Sequence, residues 1–229
     1  MIFSTVSGPS CWAKEWHEIT ISNSVKVLFI IIENNKIAET QNFASLPYNI
    51  TIFRNQINVE LKGNGFVLRG WKKGDEISLQ KNADNIKIFN CLLDRFPSPY
   101  TMEDAIQWVD RQLKEEIKLN YVIDIDGEVA GAIGLELRED VYRKTGLIGY
   151  WLAEQFWGRG IMLEAVKLVT AYAFDHFGFM RIQAGIFSKN PRSMRVLEKA
   201  GYHKEAILKS SVIKNGEILD EHVYAILKS

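Results

Sequence analysis

In the stretch YVIDIDGEVAGAIGLELRE (residues 121–139), two runs of strand character meet at Asp126-Gly127. A two-residue hairpin loop of type I′, one of the two kinds that match the right-handed twist of the strands, needs positive φ at both central positions, and Asp-Gly supplies that with little strain. The chain is therefore expected to form an antiparallel strand pair here, and the rest of the fold must cover its apolar residues. The flanking segments have the means. YTMEDAIQWVDRQLKEEIK (100–118) offers Thr101 as a cap, Glu103 and Asp104 in a first turn, and Ala105, Trp108, Val109 and Leu113 at helical spacing, the pattern of an amphipathic helix. GLIGYWLA (146–153), after the hairpin, reads as a further strand.

The same punctuation continues on both sides. NGFVLRGW (64–71) reads as a strand, and KKGDEISLQKNADNIKIFNCLLDRF (72–96) as helical pieces closed by Pro97 and Pro99. IMLEAVKLVTAYAFDHFGF (161–179) is helical to about Phe177, and RIQAGIF (181–187) is strand-like. NPRSMRVLEKAG (190–201) has Asn190 as cap, Pro191 at the first helical position and Gly201 just past the end. The tail (203–229) reads as two strands turning at Asn215-Gly216. This order predicts a mixed α/β layer arrangement, with no internal repeat. Residues 1–57 have another texture, without sustained period, so the expected organisation is an N-terminal extension over 1–57 and a folded domain over 58–229. Within the extension, VKVLFIII (25–32) is far short of the roughly 20 residues of a spanning helix and no signal-peptide cleavage pattern follows it. It is read as a buried strand or as sequence without a folding role.

Charge narrows the partners. The 229 residues carry 28 Lys+Arg against 28 Asp+Glu, which removes the chain-wide electrostatic argument for a nucleic-acid partner. Cys11 and Cys91, the only cysteines, have neither disulfide-framework nor zinc spacing, so no metal is expected and the cytoplasm is the expected compartment. No membrane partner is expected either.

Between GLIGYWLA and the long helical run lies QFWGRG (155–160), two glycines around an arginine where a strand hands over to a helix. A helix start has backbone N–H groups without partners and a partial positive charge, and glycine lets an anion approach the backbone. Gly158 and Gly160 would form such a cradle, with Arg159 adding a charge; equally, the two glycines alone would make a tight turn. A third glycine with a later acidic residue, or a Lys-Ser/Thr, would mark a dinucleotide or P-loop site, and both are absent.

The pattern Gln155-x-x-Gly158-x-Gly160 between strand and helix resembles the acetyl-CoA pyrophosphate loop of the GNAT N-acetyltransferase superfamily. NPRSMRVLEKAGY (190–202) is similar to a downstream block of the branch that holds the ribosomal-protein N-terminal acetyltransferases RimJ and RimL. IGYWLAEQFWGRG, FVLRGW and FPSPYTMEDA are similar to that branch too, so the resemblance spans roughly 58–228. It implies a mixed, mostly antiparallel central sheet flanked by helices, in which a splayed strand pair receives the cofactor. It also implies direct transfer of acetyl from acetyl-CoA to a primary amine, a protein N-terminus or a small amine, without an acyl-enzyme. On the resemblance, Gln155, Gly158, Arg159 and Gly160 hold the pyrophosphate, backbone around Trp151 and Leu152 lies along the cofactor, and Asn190 and Ser193 contact the pantetheine end. Ser193 would be a proton donor near the sulfur, because the tyrosine that many members carry seven residues after the asparagine is here Leu197. Glu136, on the strand before GYWLA, is the expected base, with His222 or a water chain as alternatives. The rival reading is a CoA-binding sensor or scaffold without transferase activity, which the missing tyrosine favours.

Overall fold

The structure, a computed structural model, describes residues 59–229 and, for the backbone alone, residues 32–33 and 36–37. The latter form a minimal antiparallel ladder, β1 (Ile32–Glu33) with β2 (Lys36–Ile37). It belongs to a separate compact unit from the domain and is described by itself. Most of VKVLFIII, and Cys11, lie outside the described residues.

The domain is organised by one eight-stranded sheet in the order β3-β4-β5-β6-β7-β8-β10-β9. Its strands are β3 (Leu61–Gly63), β4 (Phe66–Arg69), β5 (Asn120–Ile125), β6 (Glu128–Leu137), β7 (Thr145–Leu152), β8 (Arg181–Phe187), β9 (His203–Lys214) and β10 (Glu217–Leu227). The Asp126-Gly127 turn joins β5 to β6 with φ of 53° and 87°, and Asn215-Gly216 joins β9 to β10 with 52° and 76°, left-handed values at both positions of both turns. β3 has no forecast in the periodicity, because three residues are too few to display one. Its turn residue Gly65 has φ 78°, and the Phe66 ring lies over Gly63 so closely that a Cβ there would meet it at 2.2 Å.

All neighbouring strands run antiparallel except β7 and β8. A parallel pair needs a crossover, and α4 (Ile161–His176) supplies it. On α4, Ile161, Met162, Ala165, Val166, Val169, Thr170 and Ala173 recur every three or four residues and are buried, so this stripe faces the sheet. It packs with Leu197 of α5 (Pro191–Lys199) over Ile133, Leu135, Ile148, Ile182 and Ala184. The other face is covered by α1 (Asp75–Ala83) and α3 (Met102–Lys114), whose Leu79, Ala83, Ala105 and Val109 pack on Val122, Val129 and Ala132. The short α2 (Ile86–Phe89) lies between them in sequence, started by Asn85, whose side chain accepts from the Lys87 amide. Thr101 and Asp104 exchange side-chain and backbone hydrogen bonds at the start of α3, a complete capping box.

One buried ion cluster ties the helical layer to the sheet. The Arg69 guanidinium on β4 makes a two-pronged contact with Asp75 at the start of α1 (2.8 Å to each oxygen) and donates through Nε to Asp124 of β5 at 2.5 Å. Burial works against the cation, yet the hydrogen bonds and charges of the two carboxylates outweigh it and hold the Arg69 pKa above its ordinary value.

Candidate active site

The register places an opening in the middle of the sheet. β7 and β8 pair only at Thr145↔Arg181, Gly146↔Ile182 and Leu147↔Gln183. Beyond that point β7 keeps its β6 partners through Leu152, and β8 keeps its β10 partners through Phe187, so the two part from Ile148 and Ala184 onward. Each then presents an edge whose backbone groups have no strand partner across the gap; on β7 the Leu152 carbonyl is taken instead by the Trp157 indole.

At the far end of β7 the chain turns through a 3-10 segment (Glu154–Phe156) into QFWGRG. Gly158 and Gly160 have φ of 78° and 82°, and an added Cβ at either would meet nothing within 4 Å. The first helical amide of α4 that finds its usual acceptor is that of Glu164, which donates to the Gly160 carbonyl, and no side chain caps the start. The preceding N–H groups are thus left to an anion or water. The Trp157 indole donates to the Leu152 carbonyl at 2.7 Å and pins the loop to the strand end. Arg159 lies over the Phe156 ring (5.3 Å), and Arg192, from α5, lies over the Trp157 ring (4.8 Å), so two cations flank the glycines. The Gln155 side chain turns elsewhere, donating to Asn82 of α1 at 3.3 Å.

On the β8 side of the opening, just past Phe187, Asn190 accepts from the Ser193 amide at 3.2 Å and caps α5. Ser193 is buried, and its Oγ lies 2.7 Å from the Tyr150 hydroxyl of β7. This pair was not foreseen from the sequence. Its signal is the alternation on β7, which puts Tyr150 with Ile148 and Leu152 on the face that α5 covers. Burial is the main cause that pushes the Tyr150 hydroxyl well above the usual phenol range, against a smaller opposing effect of the Ser193 hydrogen bond. Leu197, in the position of the family tyrosine, is fully buried in the core, and a tyrosine hydroxyl reaches Ser193 from the strand instead.

The opposite face of the sheet carries the candidate base. Register puts Glu136 on the side of Ala132 and Trp151, where it is exposed and paired with Arg95 (2.9 Å) of the loop before α3. Phe96 of the same loop meets the Trp151 ring edge-on at 5.9 Å. His222 pairs across to the core residue Ile186 and therefore faces the α4 and α5 side, away from Glu136; its Nδ1 is buried without a hydrogen-bond partner. Among the described residues no group of three His, Cys, Asp or Glu is placed to hold a metal ion.

A family model described as "Acetyltransferase (GNAT) domain" matches residues 66–203, which contain the sheet opening, the glycine loop and the Asn190–Ser193 turn. The chain belongs to the GNAT acetyltransferase family. This acetyltransferase is 51% identical over 176 residues to "Probable N-acetyltransferase YjcK" of Bacillus subtilis, with 73% of this chain and 96% of the relative covered. In fold it is similar to a RimL ribosomal L7/L12 α-N-protein acetyltransferase solved with coenzyme A, at a TM-score of 0.66 and 22% identity over 74% of this chain and 98% of that one. It is similar also to the microcin C7 self-immunity acetyltransferase MccE, solved with acetyl-CoA and AMP, at a TM-score of 0.63 and 20% identity over 72% of this chain and 94% of that one. The mixed, mostly antiparallel sheet expected from the sequence is the GNAT fold. The protein is an acetyl-CoA-dependent N-acetyltransferase. Among the described residues no helix is long and apolar enough to cross a membrane.

Proposed function

We propose that this acetyltransferase moves acetyl from acetyl-CoA to the α-amine of a peptide or protein N-terminus, by direct attack within a ternary complex. The observation that carries the reading is the β7–β8 opening, which runs from the left-handed glycines of the loop to the Tyr150–Ser193 hydroxyl pair. In this reading the amides at Gly158, Gly160 and the start of α4 hold the pyrophosphate, with Arg159 and Arg192 beside it, while Gln155 shapes the loop through Asn82. The strand edge at Trp151 and Leu152 lies along the pantetheine arm and, with Asn190, positions the thioester. Backbone amides there would stabilise negative charge developing on the carbonyl oxygen.

Bonds and protons then balance as follows. The acceptor ammonium loses one proton to a base, the neutral amine attacks the carbonyl carbon, and the C–S bond breaks. The second amine proton passes to the departing sulfur, with Ser193 and Tyr150 as the relay. Neither hydroxyl needs to ionise in full, because each can donate as it accepts. Glu136 is the base expected from sequence; its carboxylate stands at the rim on the acceptor side, held by Arg95.

The choice of a peptide acceptor draws on the RimL-type likeness together with the part of the acceptor face beside Glu136, Arg95 and Phe96 that is open among the described residues, which suits an extended chain more than a small amine. The cytoplasm fits both the cysteine usage and the co-substrate. The test is acetyl-CoA turnover, read as CoA thiol release with mass detection of product, against pools of N-terminal peptides, spermidine and aminoglycosides. Acetylated peptide α-amines are the expected products; acetylation confined to spermidine or aminoglycosides would overturn the peptide reading while leaving the transfer intact.

A further inference from the structure

Three glycines lie at the same level on neighbouring strands where the sheet opens. Gly134 pairs with Gly149, and Gly185 stands two residues beyond the last β7–β8 pair, as Gly149 does. All three would point a side chain to the acceptor face, the side of Glu136 and Trp151. Their surroundings differ. The Asn120 side chain fills the space over Gly134, and nothing lies within 4 Å of a Cβ at Gly149. At Gly185 the place of a Cβ is taken by a carboxylate: it would lie 1.8 Å from Oε1 and 2.8 Å from Cδ of Glu221.

Glu221 reaches that spot because β10 lies next to β8 and the pairs Glu221↔Phe187 and Val223↔Gly185 put its side chain on the acceptor face. It is half-buried, and its carboxylate has no hydrogen-bond or ion-pair partner among the described residues. The charged groups around it are engaged with others. Lys209 of β9 bonds the neighbouring Asp220, and Lys189, two residues past the Phe187 that Glu221 pairs with, bonds Glu217. On the loop between α2 and α3, Arg95 bonds Glu136 and Asp94 bonds Lys214, while His222 faces the other side of the sheet. A carboxylate laid against a bare glycine, at the mouth of an opening whose other lip is an empty glycine, is unusual for a structural role, because it stabilises nothing in the free protein.

We infer that Glu221, rather than Glu136, is the base that takes the proton from the acceptor ammonium, and that Gly185 is a glycine so that this carboxylate can lie at the splay. The inference rests on direct acetyl transfer and holds for any primary-amine acceptor. In the step, one N–H bond of the ammonium breaks and an O–H bond forms on Glu221; the freed lone pair makes the C–N bond as the C–S bond breaks, and Glu221 later releases its proton to water. Glu136, by contrast, would have to give up Arg95 to act.

The experiment measures kcat and KM from pH 6.5 to 10 for wild type, Glu221→Gln, Glu136→Gln and Gly185→Ala. The acceptor is whichever of an alanine-initiated peptide, spermidine and an aminoglycoside wild type turns over fastest, so that failure of the peptide reading does not remove the test. Loss of a general base is worth roughly 100-fold or more. Glu221→Gln should lower kcat about 100-fold at pH 7 with KM for acetyl-CoA unchanged. Its deficit should shrink as the pH rises past the pKa of the acceptor amine, roughly 8 for an α-amine and 10 for a lysine-like one, where the substrate is already neutral. Gly185→Ala, whose methyl group displaces only the flexible end of Glu221, should give a smaller loss with the same pH dependence. Should that variant not fold, Glu221→Asp, which withdraws the carboxylate by one methylene, replaces it. A Glu221→Gln enzyme within twofold of wild type, a loss equal at pH 7 and 10, or the pH-dependent loss appearing in Glu136→Gln instead would overturn the inference.

Discussion

The glycine loop and the hydroxyl pair close the two ends of the same β7–β8 opening, and they are built from different materials. At the loop end the groups that would bind are backbone N–H groups, and the side chains that matter most are the ones missing at Gly158 and Gly160, both left-handed and with open space where a Cβ would stand. At the other end the groups are side-chain oxygens brought together from separate segments: Tyr150 to Ser193 across 43 residues, and Glu221 laid over Gly185. The first arrangement suits a ligand part that never changes, a pyrophosphate. The second suits the part of the reaction that differs among amine acceptors, because side chains can be exchanged without rebuilding the strand-to-helix turn.

The largest effect should come from placing a side chain at the loop. The Cβ of Gly158→Val has open space around it, so the fold should lose about 1–2 kcal/mol, from left-handed backbone. CoA, however, would lose amide hydrogen bonds to charged phosphate worth about 1.5–3 kcal/mol each. Two such bonds correspond to a loss of roughly 100-fold or more in affinity. Thermal unfolding checks both statements at once: wild type should gain about 2.7 kcal/mol at a CoA concentration of about 100 times its Kd, and the variant about 0.4 kcal/mol or less. A variant that keeps its CoA stabilisation would show that the loop is a turn and not a cradle.

Legibility in the sequence follows the same division. The loop, the Asp126-Gly127 turn, the span of β8 and the Asn190–Pro191 start of α5 were all readable, since each depends on residues within one turn of one another. The Arg69–Asp75–Asp124 cluster was not, nor was Tyr150 beside Ser193, nor Glu221 over Gly185. Each is a product of strand register, and register is decided by the packing of whole faces. Glu136 illustrates the difference: its strand was evident, but its exposure and its pairing with Arg95 depend on a loop forty-one residues earlier in the chain.

A middle-sized effect tests the hydroxyl end. Tyr150→Phe removes one hydrogen bond, worth about 1–1.5 kcal/mol, and should lower kcat about tenfold while leaving KM for acetyl-CoA and CoA affinity unchanged. The sign of its pH dependence is set by burial, which raises the phenol pKa. A raised value keeps the hydroxyl protonated below its ordinary 10, so from pH 6.5 to 9.5 the deficit should be constant. This separates it from Glu221→Gln, whose deficit should shrink over the same range. A Tyr150→Phe deficit that changes with pH would mean that the tyrosine ionises during turnover, and the relay would have to be redrawn with Tyr150 as the base.

Breaking the frame that supports both ends should cost stability without favouring either. Arg69→Met leaves Asp75 and Asp124 buried without their cation, and loss of one partner of a buried pair costs roughly 3–5 kcal/mol. Where the variant remains folded, at low temperature, its CoA affinity and kcat should fall within about threefold of wild type. A selective loss at one end would tie that end to α1, through Asn82 and Gln155 for the loop.

The smallest effect on binding is expected from the most conspicuous residue of QFWGRG. Arg159 is exposed, and its guanidinium already rests over Phe156, so its contribution to a phosphate is that of a surface charge, about 1 kcal/mol or less. Arg159→Ala should weaken CoA about threefold at low salt, and the difference should fade toward 1 M salt, where the screening length is about 3 Å. Gly158→Val should be as damaging at high salt as at low, because it takes away space and directed amides rather than long-range charge. If Arg159→Ala instead matched the glycine variant and kept its effect in salt, recognition at the loop would rest on a directed side-chain contact, and the contrast between a backbone end and a side-chain end would fail at its first term.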